Sequence, residues 1–556
     1  MSATARWFGS SDRPLFGWFH VPEDGRARAG VVLCPSFGVE YLGADFTFRQ
    51  LALDLESRRF AVVRLDYDGQ GDSGGLSTDP GRVDAWQSSI ATAVAELREL
   101  GATRTVLIGL RLGAVLAASA MHGTDALVLW DPARSGRTFL REQRALLMMS
   151  ESLTESLVDG SIEGPGIVYR PETVTDLGAL DLATTAIDAG RVLVLTRPDR
   201  PADRRLADAL APLPRVDWAD ANGSAELLDQ FYDIDAVKTI RTIAEWVDGA
   251  VGPETTPVNA PAEARTVVGR DPAGRPIVEE VVRLGPLGLI GIATEPTVAR
   301  RGPTALFLDV ATDHHVGPSR LWVDLARSWA ALGIRSVRFD FSGVCDSPVR
   351  PGQPANVSYA PEALEDIVDV AHAVTPHDPT DVLLIGLCSG AYNAIDAAIG
   401  LKPRAICAIN PILTFVPDDV ARGEPDPRRH IARTGWTRLL AFGNTRWGAG
   451  IKGRLPERAW QMLERLNIEA SPTVAIKQLG DRGVETLLVC DVQTARPLQR
   501  AGADVVRRLT ASGKLIFVMP PGLDHSLLGY AGKETTARTL TDYVIRRFVA
   551  EGAPPR

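Results

Sequence analysis

Asp381-Val-Leu-Leu-Ile-Gly386-Leu-Cys388-Ser389-Gly390-Ala391 is the stretch on which the fold reading turns. An apolar run, Val382 to Ile385, ends abruptly in Gly-x-Cys-x-Gly, and a helix-compatible run, Ala391 to Ile399, follows. That is the pattern of a buried strand, a sharp turn and a helix. Side chains at Gly386 and Gly390 would clash where strand and helix pack. The residue between them is then held in a strained backbone that lifts its side chain into a cleft at the helix N-terminus. A thiol there gains from the helix dipole, which favours the thiolate. The bland alternative is that Cys388 is a small buried residue in an ordinary turn, and the rest of the chain has to decide between the two.

The chain carries its own comparison. Arg64-Leu-Asp66-Tyr-Asp-Gly69-Gln-Gly71-Asp72-Ser73 follows an apolar strand in the first half, and Arg338-Phe-Asp340-Phe-Ser-Gly343-Val-Cys345-Asp346-Ser347 does so in the second. From Asp66 to Asp340 the offset is 274 residues; from the turn Gly109-Leu-Arg111-Leu-Gly113 to Gly386–Gly390 it is 277. A period of that length duplicates a whole domain rather than a solenoid unit. We expect domains at 1–250 and 264–556, joined by a Pro-, Gly-, Ala- and Thr-rich linker at 251–263.

Composition excludes several classes. The 556 residues exceed a single core, and 45% hydrophobic with 23% charged residues is ordinary globular usage. No apolar run reaches spanning length, and Met1 to Phe8 lacks a signal-peptide core, so no membrane partner is expected and a cytoplasmic location is. Five scattered cysteines suggest free thiols, with no metal spacing and no cofactor motif. A net charge of −9 without a basic block argues against nucleic acid.

In both halves strands alternate with helical stretches, which predicts α/β architecture: two mostly parallel sheets flanked by helices. In the first half a helical insertion at about 137–157 has the place of a lid. Arg111 stands at the position that Cys388 holds in the second half, and a guanidinium cannot attack an acyl group near neutral pH. The half has only His20 and His122, neither after its last expected strand. Two chemical groups missing together mark this half as catalytically dead. Arg111 is left to bind an anion, or to form an ion pair with Asp131 or Asp199.

In the second half the strand Leu306 to Val310 runs into Ala311-Thr-Asp-His314-His315. A backbone N–H near Ala311 or Thr312 would be one oxyanion donor and that of Ser389 the other. His314 and His315 fall near the same centre, to bind substrate or to order the loop. The strand Glu485 to Val489 leads to Asp491, and Lys514 to Met519 leads to Asp524-His525. Nucleophile, acid and base thus follow in the order Cys388, Asp491, His525, as a triad on such a sheet requires. His525 would take the thiol proton. Asp491 has a loop cap as its alternative, with Thr494 standing where the acid more often falls; Asp524 adjoins the base. Residues 413–480 read as a cap. Its Arg428, Arg429, Arg433, Arg438, Arg446, Lys452 and Arg454, set among Trp436, Trp447 and Trp460, would meet a phosphate or form a solvated helix face.

These residues carry a resemblance. Gly386-Leu-Cys388-Ser-Gly390, Asp491 and His525, with the Arg-x-Asp-x-x-Gly-x-x-Asp-Ser loop, resemble the α/β-hydrolase superfamily. The cysteine form looks like dienelactone hydrolases and polyhydroxyalkanoate synthases. The first half, with Gly-Leu-Arg-Leu-Gly-Ala, resembles exosortase-associated and serine-aminopeptidase-like hydrolases. Cys345 departs from the usual glycine of that loop. The resemblance implies two tandem α/β-hydrolase domains, each with a helical cap insertion; a first domain without chemistry is expected to persist as a pseudoenzyme that is the second's intramolecular structural partner. The Cys388 thiol, which exchanges with thioesters more readily than a serine would, leads us to expect acyl transfer through acyl-Cys388, by an acyltransferase or thioesterase in a biosynthetic pathway. The substrate would be a small-molecule or carrier-bound acyl group, such as an acyl carrier protein or coenzyme A thioester. A hydrolytic esterase and a non-catalytic binder of an acylated partner are the alternatives.

Overall fold

The computed structural model describes residues 3–149, 159–199, 204–213, 215–223, 237–262, 265–413 and 473–550. Most of the expected cap, with its arginines, lysine and tryptophans, lies outside them, as does the end of the insertion at 137–157, whose described part is the helix Gly136–Met149. The chain divides into two compact units, Met1–Val281 with Leu528–Tyr530, and Val282–Leu527 with Ala531–Arg556.

In chain order the first strands are β1 (Thr4–Phe8), β2 (Leu15–His20), β3 (Arg26–Ala27), β4 (Gly30–Cys34), β5 (Ala61–Asp66), β6 (Thr105–Leu110), β7 (Thr124–Trp130), β8 (Ile162–Gly164), β9 (Ile167–Tyr169), β10 (Ala189–Thr196), β11 (Val216–Asp220) and β12 (Thr256–Pro257). Then come β13 (Arg265–Arg270), β14 (Pro276–Leu284), β15 (Leu289–Glu295), β16 (Thr304–Phe307), β17 (Ser336–Phe339), β18 (Val382–Leu387), β19 (Ala405–Ile409), β20 (Glu485–Val489) and β21 (Leu515–Val518). Among the described residues one sheet runs β1-β2-β5-β4-β6-β7-β10-β11 and the other β13-β14-β15-β17-β16-β18-β19-β20-β21. The swap of the third and fourth core strands, an antiparallel start and a parallel remainder appear in both. This is the strand order of the α/β-hydrolase fold, present twice.

Central strands are buried along their whole length, as Thr-Val-Leu-Ile-Gly-Leu in β6 and Val-Leu-Leu-Ile-Gly-Leu in β18 show. Helices cover both faces of a parallel sheet, so such strands read as continuous apolar runs. The stretch expected as a linker is in part hydrogen-bonded to the first unit. β12 pairs antiparallel with β3, Val258 N–H bonds Gly25 O at 2.9 Å, and Arg104 meets Glu254 at 2.7 Å. Thr is a good strand residue, and Pro257, which has no N–H to donate, is tolerated because this two-residue pair is an edge.

The shared Asp–Ser loop is built alike in each half. Ser73 Oγ donates to Asp66 O at 2.7 Å and accepts from Phe16 N–H at 2.8 Å. Ser347 Oγ donates to Asp340 O at 2.7 Å and accepts from Ile290 N–H at 2.9 Å. One hydroxyl thus stitches the end of a central strand to the neighbouring antiparallel strand. Cys345 keeps the positive φ (45°) that Gly71 has (52°), so the turn survives without glycine. In the first half a Cβ at that place would collide with the Asp66 carboxylate. In the second the equivalent Asp340 carboxylate is turned to His315.

Both elbows depend on their glycines. A Cβ on Gly390 would overlap Asp309 O, one on Gly113 would overlap Cys34 O, and one on Gly386 would overlap the Gly390 backbone. These neighbours are main chain and cannot swing aside. Gly390→Ala and Gly113→Ala are each expected to cost about 3 kcal/mol, the upper end of an overpacked core substitution, read as a drop in urea midpoint at unchanged slope. The loss at Gly113 would arise although no nucleophile stands beside it.

Candidate active site

Cys388 caps the helix Ser389–Leu401 with φ 51° and ψ −111°. Arg111 caps its own helix, Leu112–Ala120, with φ 55° and ψ −114°. The two elbows therefore share one strained backbone, imposed by strand–helix packing, and differ in the side chain they present.

At the second elbow His525 Nε2 lies 3.3 Å from Cys388 Sγ. On the other ring nitrogen, Nδ1 faces Asp491 Oδ2 at 3.6 Å, an ion-pair separation. Asp491 also caps the helix Val492–Ala501, accepting from Thr494 N–H at 2.7 Å and Thr494 Oγ1 at 3.2 Å. It is thus both helix cap and neighbour of the imidazole, and Thr494 holds it. Asp524 instead accepts from Ser526 N–H at 3.1 Å, within its own turn.

Asn410 is a positioning residue that the sequence reading passed over. It follows β19 with φ 44°, a conformation asparagine tolerates better than most residues. Its Oδ1 accepts from Asp491 N–H at 2.7 Å, while Nδ2 donates to Asp524 O at 3.1 Å and His525 O at 2.9 Å. One buried amide therefore ties the Asp491 loop to the His525 loop. The Asn-Pro after a strand was the signal available. Tyr359 was also missed: its hydroxyl sits 3.6 Å from Cys388 Sγ, and its ring meets Tyr392 edge-on. No local pattern marks a loop tyrosine 29 residues before the thiol it touches.

The residues expected around the thiol have the following partners. Ala311 N–H donates to Ser389 Oγ at 2.6 Å, so it is occupied. Ser389 is buried, and its hydroxyl takes the nearest donor. The Thr312 carbonyl lies 3.8 Å from the Cys345 thiol. His315 is also committed: Asp340 Oδ1 accepts its backbone N–H at 2.8 Å and lies 2.8 Å from its Nδ1. Bound in this way, the buried ring ties the loop to Asp340, and His314 is buried beside it. Below them Asp309 accepts from Phe341 N–H at 2.7 Å, and burial, then the charge of Asp340, holds its carboxyl well above the usual range.

The charges of the Cys388–His525 pair favour thiolate and imidazolium. Burial alone would raise the Cys388 thiol, but the hydrogen bond and charge of His525, then the Tyr359 hydroxyl and the Ser389 N–H, outweigh it and bring it below its ordinary value. His525 is pushed up to about 10, by Asp491 first and Cys388 second, against desolvation. Burial works against the Asp491 carboxylate too, yet His525 and the Thr494 N–H hold it low.

In the first unit Arg111 is buried among carboxylates. Its guanidinium lies 3.5 Å from Glu40, 3.7 Å from Asp131 and against Glu142. Asp199 pairs with Arg197 instead, at 2.6 Å. Glu40 is in turn bonded by Ser36 at 2.5 Å and Gln143 at 2.9 Å. The position answering Cys388 is thus filled by a charge network that already neutralises the arginine. Among the described residues no group of three or more His, Cys, Asp or Glu side chains is arranged to hold a metal ion, and no helix is long and apolar enough to cross a membrane.

No protein-family model and no curated protein sequence matches the chain. Solved structures resemble parts of it at low identity. DcsB, solved with its substrate analogue, is 16% identical, covers 45% of this chain and 100% of its own, with a TM-score of 0.35. Est1E from Butyrivibrio proteoclasticus is 12% identical over 44% of this chain and 98% of its own, TM-score 0.34. A dienelactone hydrolase from Anabaena variabilis is 12% identical over 49% and 97%, TM-score 0.31.

Two outcomes follow from these charges. Iodoacetamide should alkylate Cys388 with a pH inflection below the ordinary thiol value of about 8.5, because a lowered thiol is ionised earlier. The paired form should persist upward until His525 loses its proton near pH 10. Asp491→Asn should shift the Cys388 inflection up, since a less basic imidazole supports less thiolate; stopped-flow alkylation against pH reads both. Arg111→Ala, which strands Glu40, Asp131 and Glu142, should destabilise by about 3–5 kcal/mol in chemical denaturation.

Proposed function

We propose that the second unit transfers acyl groups through a thioester on Cys388. The observation that carries this reading is the Cys388 Sγ to His525 Nε2 separation of 3.3 Å, at a strained elbow on a helix N-terminus. Thiolate sulfur attacks the carbonyl carbon of a thioester or activated ester, forming an S–C bond and moving the carbonyl π pair onto oxygen. As the pair returns, the bond to the leaving group breaks and His525 gives that group its proton. In the second step His525 takes a proton from the acceptor, which attacks the acyl-cysteine and frees the thiolate. Asp491 holds the imidazole orientation through Nδ1 and stabilises its charge. The acyl-cysteine remains activated, so an alcohol, amine or thiol can accept the group as readily as water.

Hydrolysis is the second reading, favoured by the 47% exposure of the His525 side chain, which leaves the base within reach of water. The first unit we assign no chemistry. Arg111 is no nucleophile, and its carboxylate partners give it a structural role there.

Intact-protein mass spectrometry with a panel of acyl-thioesters tests the proposal. The expected result is a gain of one acyl group, absent in Cys388→Ala and slowed about 10²–10⁴-fold in His525→Ala, as loss of a general acid–base group predicts. An adduct that persists in Cys388→Ala, or no adduct and no turnover with any donor, would overturn it. Decay of the adduct in buffer, against its transfer to an added thiol or alcohol, separates hydrolysis from transfer.

A further inference from the structure

We propose that the oxyanion of the acyl-transfer step is held by the Ser389 N–H together with the Tyr359 hydroxyl, not by the Ala311 N–H. The inference rests on the reading above and goes further by assigning a side-chain donor to the transition state. Two independent observations carry it. The Ala311 N–H, which the strand-to-loop position would assign to the oxyanion, is already bonded to the buried Ser389 Oγ at 2.6 Å. The Tyr359 hydroxyl is 3.6 Å from Cys388 Sγ.

The geometry of the step links these facts. The oxygen that becomes charged is bonded to the carbon that Sγ attacks, one bond angle from the sulfur. A donor within reach of the thiolate is therefore within reach of the oxyanion after a small rotation. In the resting site the phenol O–H donates to the thiolate. When the S–C bond forms, the negative charge leaves sulfur for oxygen, and the same O–H follows it. The phenol keeps its proton throughout: it donates a hydrogen bond in both states and is neither acid nor base. Such a donor acts where charge develops, which is where a hydrogen bond contributes most to rate. The half-buried tyrosine is steadied by the edge-on contact with Tyr392, ring centroids 5.8 Å apart and planes at 80°. Tyr392 stands on the elbow helix, its N–H bonded to Cys388 O at 3.0 Å, so the hydroxyl is referenced to the backbone that positions the thiol.

The test uses the full chain and Tyr359→Phe, which keeps the ring and removes only the hydroxyl. Two rates are measured at a pH above the Cys388 inflection. One is acetylation by p-nitrophenyl acetate, followed by the p-nitrophenolate burst and intact mass; the other is alkylation by iodoacetamide, a displacement that creates no oxyanion. The expected result is acetylation slowed about 100-fold, the usual effect of removing one oxyanion donor, with alkylation within about threefold of wild type. Acetylation at the wild-type rate would overturn the inference while leaving acyl transfer intact. Equal losses in both rates would confine the hydroxyl to the thiolate and overturn it as well. A wild type that is alkylated yet takes no acyl group from this ester or from the thioester panel would overturn the underlying reading, and the inference with it.

Discussion

The contact between the Gly390 backbone and Asp309 O is the constraint on which the second unit's site depends. Strand and helix approach so closely there that no side chain fits at Gly386 or Gly390. The turn between them has one way to close, and Cys388 bears the strain as a positive φ. Everything around the thiol is referenced to that turn. The Ser389 N–H opens the helix beside it, Ser389 Oγ ties the Ala311 loop to it, and Cys388 N–H bonds Ile409 O at 2.9 Å. From β19 the chain passes to Asn410, whose amide holds the Asp491 and His525 loops together. A single close packing thus propagates through hydrogen bonds to four chain segments far apart in sequence.

The first unit shows that this packing is independent of the chemistry. Arg111 has the Cys388 backbone within a few degrees, and its N–H bonds Trp130 O at 3.0 Å as Cys388 N–H bonds Ile409 O. Asp131, with φ 41°, stands where Asn410 stands. The backbone frame is kept, and the space where a substrate would meet a nucleophile is occupied by an arginine with three carboxylates. Removing one partner of such a buried network leaves an uncompensated charge, which makes the replacement hard to reverse by single substitutions. The Asp–Ser loops tell the same story at smaller scale: the hydroxyl stitch is shared, while the aspartate carboxylate turns inward over Gly71 in one half and towards His315 in the other.

Much of the architecture was legible because it rests on local patterns. The expected strand Glu485 to Val489 matches β20 residue for residue, and the Gly-x-x-x-Gly turns announce themselves by composition. Order along the chain suffices to propose Cys388, Asp491 and His525, since strand ends on a parallel sheet project to one edge. What the pattern missed is long-range and side-chain specific. Asn410 acts across 81 residues to Asp491 and 115 to His525, and its Asn-Pro marks a turn after a strand without showing which loops the amide reaches. The strand β13 and the pinning of β12 depend on partners elsewhere in the fold, and weak alternation in short polar stretches does not reveal a partner.

The sequence by itself determined the duplication and the strand-elbow-helix units, because glycine sterics and hydrophobic period act within a few residues. Only the tertiary structure decided which polar groups are already spent. His315 goes to Asp340, the Ala311 N–H goes to Ser389 Oγ, and Arg111 goes to Glu40, Asp131 and Glu142. It also brought Tyr359 to the sulfur. The physical reason is that a buried donor or acceptor must find a partner, and which one it finds is set by packing between segments that the chain order does not specify.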